Sequence, residues 1–218
     1  MRTMILVLTI FSTVILQGCQ ESKNENEIKN KKNMSEVQNK NLTTATFASG
    51  CFWCTEAIFE RVKGVYSIES GYTGGTIENP SYQQVSNGNT NHAEAIQLMF
   101  DSTEITYDEL LEIFWKTHDP TTLNKQGADT GTQYRSAVFY HNEEQKRKAE
   151  FYKNELNKAG LWKDPIVTEI VPFNKFYKAE DYHQDYYENN PNQGYCAYVI
   201  TPKVEKFEKI FKSKLKKD

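Results

Sequence analysis

Apolar and polar positions fall along this chain in short blocks, and the blocks predict strands and helices that interleave. Six runs carry the β-branched, aromatic or alternating character of strands: Thr44 to Phe47, Val65 to Tyr72, Glu94 to Phe100, Ser136 to Tyr140, Ile166 to Val171 and Tyr195 to Ile200. The clearest helix spans Tyr107 to Thr117, with Leu110, Leu111, Phe114 and Trp115 on one face. Thr106 and Glu109 spell a capping box at its start, and Asp119-Pro120 stops it. Glu143 to Lys158 and Lys203 to Leu215 also read as helices, and another follows Cys51, with Cys54, Ile58 and Val62 on one stripe and Phe59 beside it. The order is too irregular for a doubly wound parallel sheet, so the expected fold class is α+β, a layered sandwich.

The two ends depart from this pattern. Arg2 precedes an apolar stretch, Met4 to Leu16, shorter than the ~20 residues of a membrane-spanning helix and suited to a signal segment. It closes on Leu16-Gln17-Gly18-Cys19, which is similar to a bacterial lipoprotein box. Residues 1–19 are therefore expected to be a signal peptide, with Cys19 lipidated and anchoring an extracytoplasmic protein to a membrane, periplasmic or at the cell surface. An ordinary secretory signal is the alternative, because Gln17 is bulky for that box. Residues 20–41 are rich in Asn, Lys and Glu with almost nothing apolar, which predicts a disordered polar tether. Residues 42–218 are enough for a single domain with its own core. The formal net charge of −3 argues against nucleic acid as a partner, and Lys212 to Lys217 reads as a solvated helix face.

The chemistry concentrates at Gly50-Cys51-Phe52-Trp53-Cys54-Thr55-Glu56. A thiol that opens a helix meets the positive end of the helix dipole and unpaired backbone N–H groups, which predicts a Cys51 pKa lowered toward neutrality and a reactive nucleophile. A CxxC pair also suits a thioredoxin-type redox site or half of a zinc site. Zinc fits least, because the other two of the four cysteines, Cys19 and Cys196, stand alone, so no metal is expected. Phe52 and Trp53, large apolar groups beside a nucleophile, suggest a pocket for a small apolar group. Two long stretches without periodicity, Gly71 to Asn91 and Pro120 to Arg135, carry Tyr82, Asp129, Gln133 and Tyr134, polar groups that could converge on such a pocket. Glu94 opens an apolar strand, where burial would raise its pKa.

The motif of Gly50 to Glu56 closely resembles that of the A-type peptide methionine sulfoxide reductases. The resemblance continues in family order through Gly71-Tyr72-Thr73-Gly74-Gly75, Asn79-Pro80-Ser81-Tyr82, His92-Ala93-Glu94, His118-Asp119-Pro120-Thr121, Gln126-Gly127 and the run from Asp129 to Ser136, and it covers roughly Thr44 to Phe211. It implies a ferredoxin-like central mixed sheet with long wrapping coils, and reduction of the S epimer of methionine sulfoxide, free or in oxidised proteins. It implies Cys51 as nucleophile, Glu94 as proton donor to the sulfoxide oxygen, Tyr82 and Tyr134 as hydrogen-bond donors to that oxygen, Asp129 as a substrate-positioning group, and Phe52 and Trp53 around the S-methyl group.

Attack by Cys51 would leave a sulfenic acid that a second thiol condenses with. Cys54, one turn away, is the expected first partner, and Cys196, at a position where many family members carry a resolving cysteine, could form a second disulfide. No bound cofactor is implied; an external thioredoxin-like dithiol would reset the enzyme, and a monomer is expected. The sequence departs from the family at Cys54, where Gly is commoner, and at Asn91, Ser86 and Lys125, where Gly, Cys and Arg are common. His92 and His118 fall in the motifs and read as structural. Two rival readings are an extracytoplasmic thiol-disulfide oxidoreductase using Cys51 and Cys54, and a non-catalytic lipoprotein that binds through its aromatic pocket.

Overall fold

The computed structural model describes residues 41–217. Strand β1 (Leu42–Ser49) leads through α1 (Phe52–Phe59) to β2 (Val65–Thr73), and a short helix α2 (Tyr82–Ser86) precedes β3 (Ala93–Asp101) and α3 (Tyr107–Thr117). A two-residue-a-side hairpin, β4 (Lys125–Gln126) and β5 (Asp129–Thr130), comes before β6 (Ser136–Tyr140) and the long α4 (Glu143–Ala159). The last third holds β7 (Glu169–Pro172), β8 (Phe176–Lys178), α5 (Tyr186–Asn189), a π-helical turn at Cys196–Ile200 and α6 (Thr201–Ile210).

Six strands form one mixed sheet in the order β7-β6-β1-β3-β2-β8. Neighbours are antiparallel except β6 and β7, which run parallel. The central strands β1 and β3 are mostly buried; β3 carries the longer apolar run, while β1 buries Thr46 and Ser49 among its apolar residues. On one face Phe47 stacks on Phe59 of α1 and Phe114 of α3, with ring centroids 5.5 and 5.2 Å apart, so both helices share one layer. On the other face small side chains, Ala48, Ala93, Ala95 and Ala137, surround Phe139 and let Val171, Phe173 and Phe176 close over them. The fold is α+β in layers, as the irregular order of elements predicts. The expected capping box is present: the Thr106 hydroxyl accepts from the Glu109 N–H while Glu109 accepts from the Thr106 N–H.

The structure corrects several expectations. Tyr195 to Ile200 is a π-helical turn running into α6, not a strand. Its Val199-Ile200 pair favours strand locally, but Cys196 and Ile200, four apart, are both fully buried, and packing of that single face overrides propensity. Only Glu169–Pro172 of the expected strand from Ile166 pairs, and the last helix ends at Ile210. The Lys-rich end is not simply solvated, because Lys214 donates to Glu109 at 2.6 Å. Cys19 and the residues before 41 lie outside the described residues. Asn91 adopts φ +58°, a backbone region that suits glycine and that asparagine tolerates, which accounts for the exchange at that position.

Candidate active site

The strand β1 and helix α1 meet at Gly50-Cys51. Gly50 sits at φ +97°, and a Cβ there would lie 2.6 Å from the Gln126 side chain, so only glycine brings the chain this close while turning it into the helix. Gln126 is itself clamped to the Asp119 backbone by two hydrogen bonds, from Asp119 N at 3.1 Å and to Asp119 O at 3.0 Å. Cys51 is the N-cap residue, and Phe52 opens α1, as the sequence predicts. The free N–H of Phe52 donates to Glu94 Oε2 at 3.1 Å, which fastens the carboxyl at the start of β3 to the residue beside Cys51. Glu94 is 1 % exposed, and burial pushes its pKa up to about 8, against the Phe52 N–H, so it is mostly protonated at neutral pH.

An aromatic wall stands over this pair. The Trp53 indole stacks on Tyr186 with centroids 3.7 Å apart and donates to His183 Nδ1 at 3.1 Å. His183 packs against Phe52 and Tyr82, with centroid separations of 5.1 and 4.5 Å. Glu180 holds this side in place, accepting from the Tyr72 hydroxyl and from the Tyr82 N–H, both at 2.9 Å. Burial, then the negative charge of Glu94 and then of Cys51, raise the Tyr82 phenol to about 12 and push the Tyr134 phenol up as well. Both hydroxyls therefore remain donors over the physiological range.

The two thiols of the motif divide their roles in an order opposite to the sequence expectation. Cys51 is 7 % exposed, and burial, the hydrogen bond it makes to Cys54 and the nearby negative charge of Glu94 raise its pKa well above the ordinary value, outweighing the helix terminus. Cys54 is lowered to about 6, chiefly because the Cys51 thiol donates to it; burial opposes this, and Lys203, whose Nζ lies 3.4 Å from Cys54 Sγ, adds its charge and an N–H. The two thiols are thus shifted in opposite directions, Cys51 toward the neutral form and Cys54 toward the thiolate. Sequence reasoning overlooked this because the dipole argument ignores burial and the bond between the two thiols, and the lysine that adds its charge to Cys54 is 149 positions away.

Cys51, Glu94, Tyr82, Tyr134, Phe52, Trp53 and Cys54 thus gather at one place. Asp129 joins them through Tyr195, whose hydroxyl donates to Asp129 Oδ2 at 2.6 Å and lies 3.9 Å from Cys54 Sγ. Cys196 follows Tyr195, is fully buried, and has its pKa raised by burial and then by the Cys54 charge. The three described cysteines are free thiols. His92 is structural as expected: it accepts from the Gly75 N–H at 3.1 Å and pairs with the Ile77 carbonyl at 2.8 Å. The site residues missed from sequence are Glu180, His183, Tyr186, Tyr195 and Lys203. The polar-aromatic run from Glu180 to Tyr187, which fits neither helical nor strand period, was a usable signal; Lys203 had none.

The family model for "Peptide methionine sulfoxide reductase" matches residues 43–215. The chain is 56 % identical over 173 residues, 79 % of its length and 88 % of the relative's, to peptide methionine sulfoxide reductase MsrA 1 of Rhodopirellula baltica. It is 53 % identical over 175 residues to the MsrA of Saccharolobus solfataricus, covering 80 % of this chain and 98 % of that protein. Among solved structures, methionine sulfoxide reductase A of Corynebacterium diphtheriae superposes with a TM-score of 0.64 at 37 % identity, covering 72 % of this chain and 78 % of that one.

Proposed function

This chain belongs to the peptide methionine sulfoxide reductase family and is an oxidoreductase that reduces methionine sulfoxide to methionine, and from that premise we propose which of its residues carry the reaction. Cys51 attacks the sulfoxide sulfur, and Glu94 gives a proton to the oxygen. Tyr82 and Tyr134 hydrogen-bond that oxygen, while Phe52 and Trp53 enclose the S-methyl group. The observation that carries this reading is the 3.1 Å bond from the Phe52 N–H to Glu94, a carboxyl kept protonated beside the nucleophile. As the S–S linkage between Cys51 and the substrate forms, the proton passes to oxygen. That oxygen then moves from the substrate sulfur to the Cys51 sulfur; the S–O bond to the substrate and the transient S–S linkage break with the electron pair returning to the substrate sulfur, and methionine leaves with Cys51 as the sulfenic acid.

Resolution follows by attack of Cys54 on the Cys51 sulfur, with loss of water and formation of a disulfide. Cys54 is favoured over Cys196 because it is bonded to Cys51 and ionised, whereas Cys196 is buried and protonated. Cys196 then serves as a second exchange partner. Two electrons must come from outside, and a thioredoxin-like dithiol is the reductant of the right class. The preferred substrate is the S epimer, free or in oxidised proteins. The four strands β6-β1-β3-β2, each antiparallel to its neighbour and joined by α1 and α3, support reading the sheet centre as ferredoxin-like. The address stays as read from sequence: lipidated Cys19 on a polar tether outside the cytoplasm, with the domain acting as a monomer.

Each separated epimer of a blocked methionine sulfoxide, supplied with dithiothreitol, tests this directly. The S epimer alone is reduced by the wild-type protein, and Cys51→Ser abolishes turnover. Equal reduction of both epimers, or activity surviving in Cys51→Ser, overturns the assignment.

A further inference from the structure

The position of Lys203 against Cys54 has no place in the reaction as described so far, and it is the one cation set against a sulfur of the site among the described residues. Lys203 lies in the first turn of α6, beyond the π-helical turn, and its Nζ reaches Cys54 Sγ at 3.4 Å. The groups facing Cys54 are few. Cys51 donates to it, Tyr195 lies 3.9 Å away with its proton committed to Asp129, and Glu94 and Cys196 are close enough to feel its charge.

These contacts change during turnover. In the reduced protein the Cys51 S–H is the largest influence holding Cys54 ionised. Once Cys51 has become a sulfenic acid, that S–H has been consumed. Burial then pulls Cys54 toward the neutral thiol at the moment when a thiolate is needed. The remaining stabilising partner with a full positive charge is Lys203.

We propose that Lys203 is a positioning residue for the resolving step, its ammonium keeping Cys54 a thiolate aimed at the Cys51 sulfenic acid. The proposal rests on the assignment of Cys54 as resolving thiol. The step it serves is balanced: the Cys54 thiolate forms the S–S bond, the S–O bond of Cys51 breaks, and hydroxide leaves as water with a proton from the surroundings, so sulfenic acid and thiol become disulfide and water. The ammonium also stabilises charge as the hydroxide departs.

Single-turnover measurement tests this on wild type, Lys203→Met, Lys203→Arg and Cys54→Ser. One equivalent of substrate is added, and the surviving sulfenic acid is trapped with dimedone and counted by mass spectrometry. In Lys203→Met, burial acts unopposed and the thiolate fraction at pH 7 falls by about two orders of magnitude, while the more basic thiolate that remains is the better nucleophile. Sulfenic acid is therefore expected to persist about tenfold longer, with disulfide formation recovering as pH is raised toward 9. Lys203→Arg restores the wild-type profile. The pH profile of Cys54 alkylation by iodoacetamide in the reduced protein shifts upward in Lys203→Met and not in Lys203→Arg. Unchanged sulfenic acid lifetime and alkylation profile in a folded Lys203→Met overturn the role of Lys203 alone. Disulfide formation at the wild-type rate in Cys54→Ser overturns the Cys54 assignment beneath it. Should Lys203→Met fail to fold, a Lys203→Gln variant read by the same alkylation profile decides the matter.

Discussion

The site has a sheet side and a coil side, and they are held by different physics. Cys51, Phe52 and Glu94 sit where β1, α1 and β3 meet, nearly inaccessible to solvent, and the decisive contact there runs from a backbone N–H to the Glu94 carboxyl. Tyr82, His183, Asp129 and Tyr195 come from short elements and loops outside the central sheet, held by Trp53 to His183, Tyr195 to Asp129, and Glu180 to Tyr72 and to the Tyr82 N–H. Backbone geometry fixes a donor to fractions of an ångström, whereas a wall of rings and carboxylates can adjust to substrates presented on different proteins. In the proposed reaction the nucleophile and the proton donor belong to the sheet side, while Tyr82 and Asp129 meet the substrate from the coil side.

The largest effect that probes this division is expected on the sheet side. Glu94→Gln keeps shape and the Phe52 contact but cannot give up a proton, so methionine release falls about 10²- to 10³-fold with KM little changed. Rapid-quench measurement of the first equivalent of methionine reads it. A drop confined to KM would move proton donation elsewhere.

The next effect is pH dependence. Glu94 titrates near 8 in the fold, and near 4.3 in an unfolded chain. Between those values the folded state holds the extra proton, so the carboxyl costs stability progressively as pH rises from about 4.3 to 8. The single-turnover rate should fall through pH 8 for the same reason, because the acid is lost. In Glu94→Gln the fold loses Glu94's share of that slope, and urea melts between pH 5 and 9 measure it. Glu56, raised to about 7, and Glu60, raised to about 8, both chiefly by burial, leave a residual slope in both proteins. Parallel melts across that range would remove Glu94 as the titrating group.

The two sides also differ in how far the sequence exposed them. Periodicity located β1, α1, β3 and α3, and the Thr106 and Glu109 capping box marked a boundary to the residue, because these features depend on neighbours three or four positions away. The motif from Gly50 to Glu56 exposed the nucleophile for the same reason. Tyr195 to Ile200 was misread because its local strand preference yields to the burial of Cys196 and Ile200. The partners of Glu180 and Lys203 were invisible, since each acts on a residue 98 or more positions away, and only the polar-aromatic run that Glu180 opens could have marked it. The ionisation order of Cys51 and Cys54 was hidden differently: burial and the hydrogen bond between the two thiols outweigh the local dipole, and the charge of distant Lys203 adds to them.

A smaller effect belongs to the coil side. Glu180→Gln keeps size but weakens the charge-assisted bonds to Tyr72 and to the Tyr82 backbone. Hydrogen bonds of that kind are worth about 1.5–3 kcal/mol, and part survives in the amide, so kcat/KM is expected to fall about fivefold, mostly in KM. Tyr195→Phe should be milder still, because the ring that packs on Trp53, at 5.9 Å between centroids, is kept and what is lost is the hydroxyl's bond to Asp129 and its long contact with Cys54. A two- to fivefold loss in kcat/KM for a peptide substrate, with no change in the pH 8 limb set by Glu94, is the expected result. Steady-state kinetics over pH 6 to 9 measure both quantities at once. If Tyr195→Phe instead shifted the pH 8 limb, Asp129 and Glu94 would be one coupled unit, and the sheet and coil sides would not be separable.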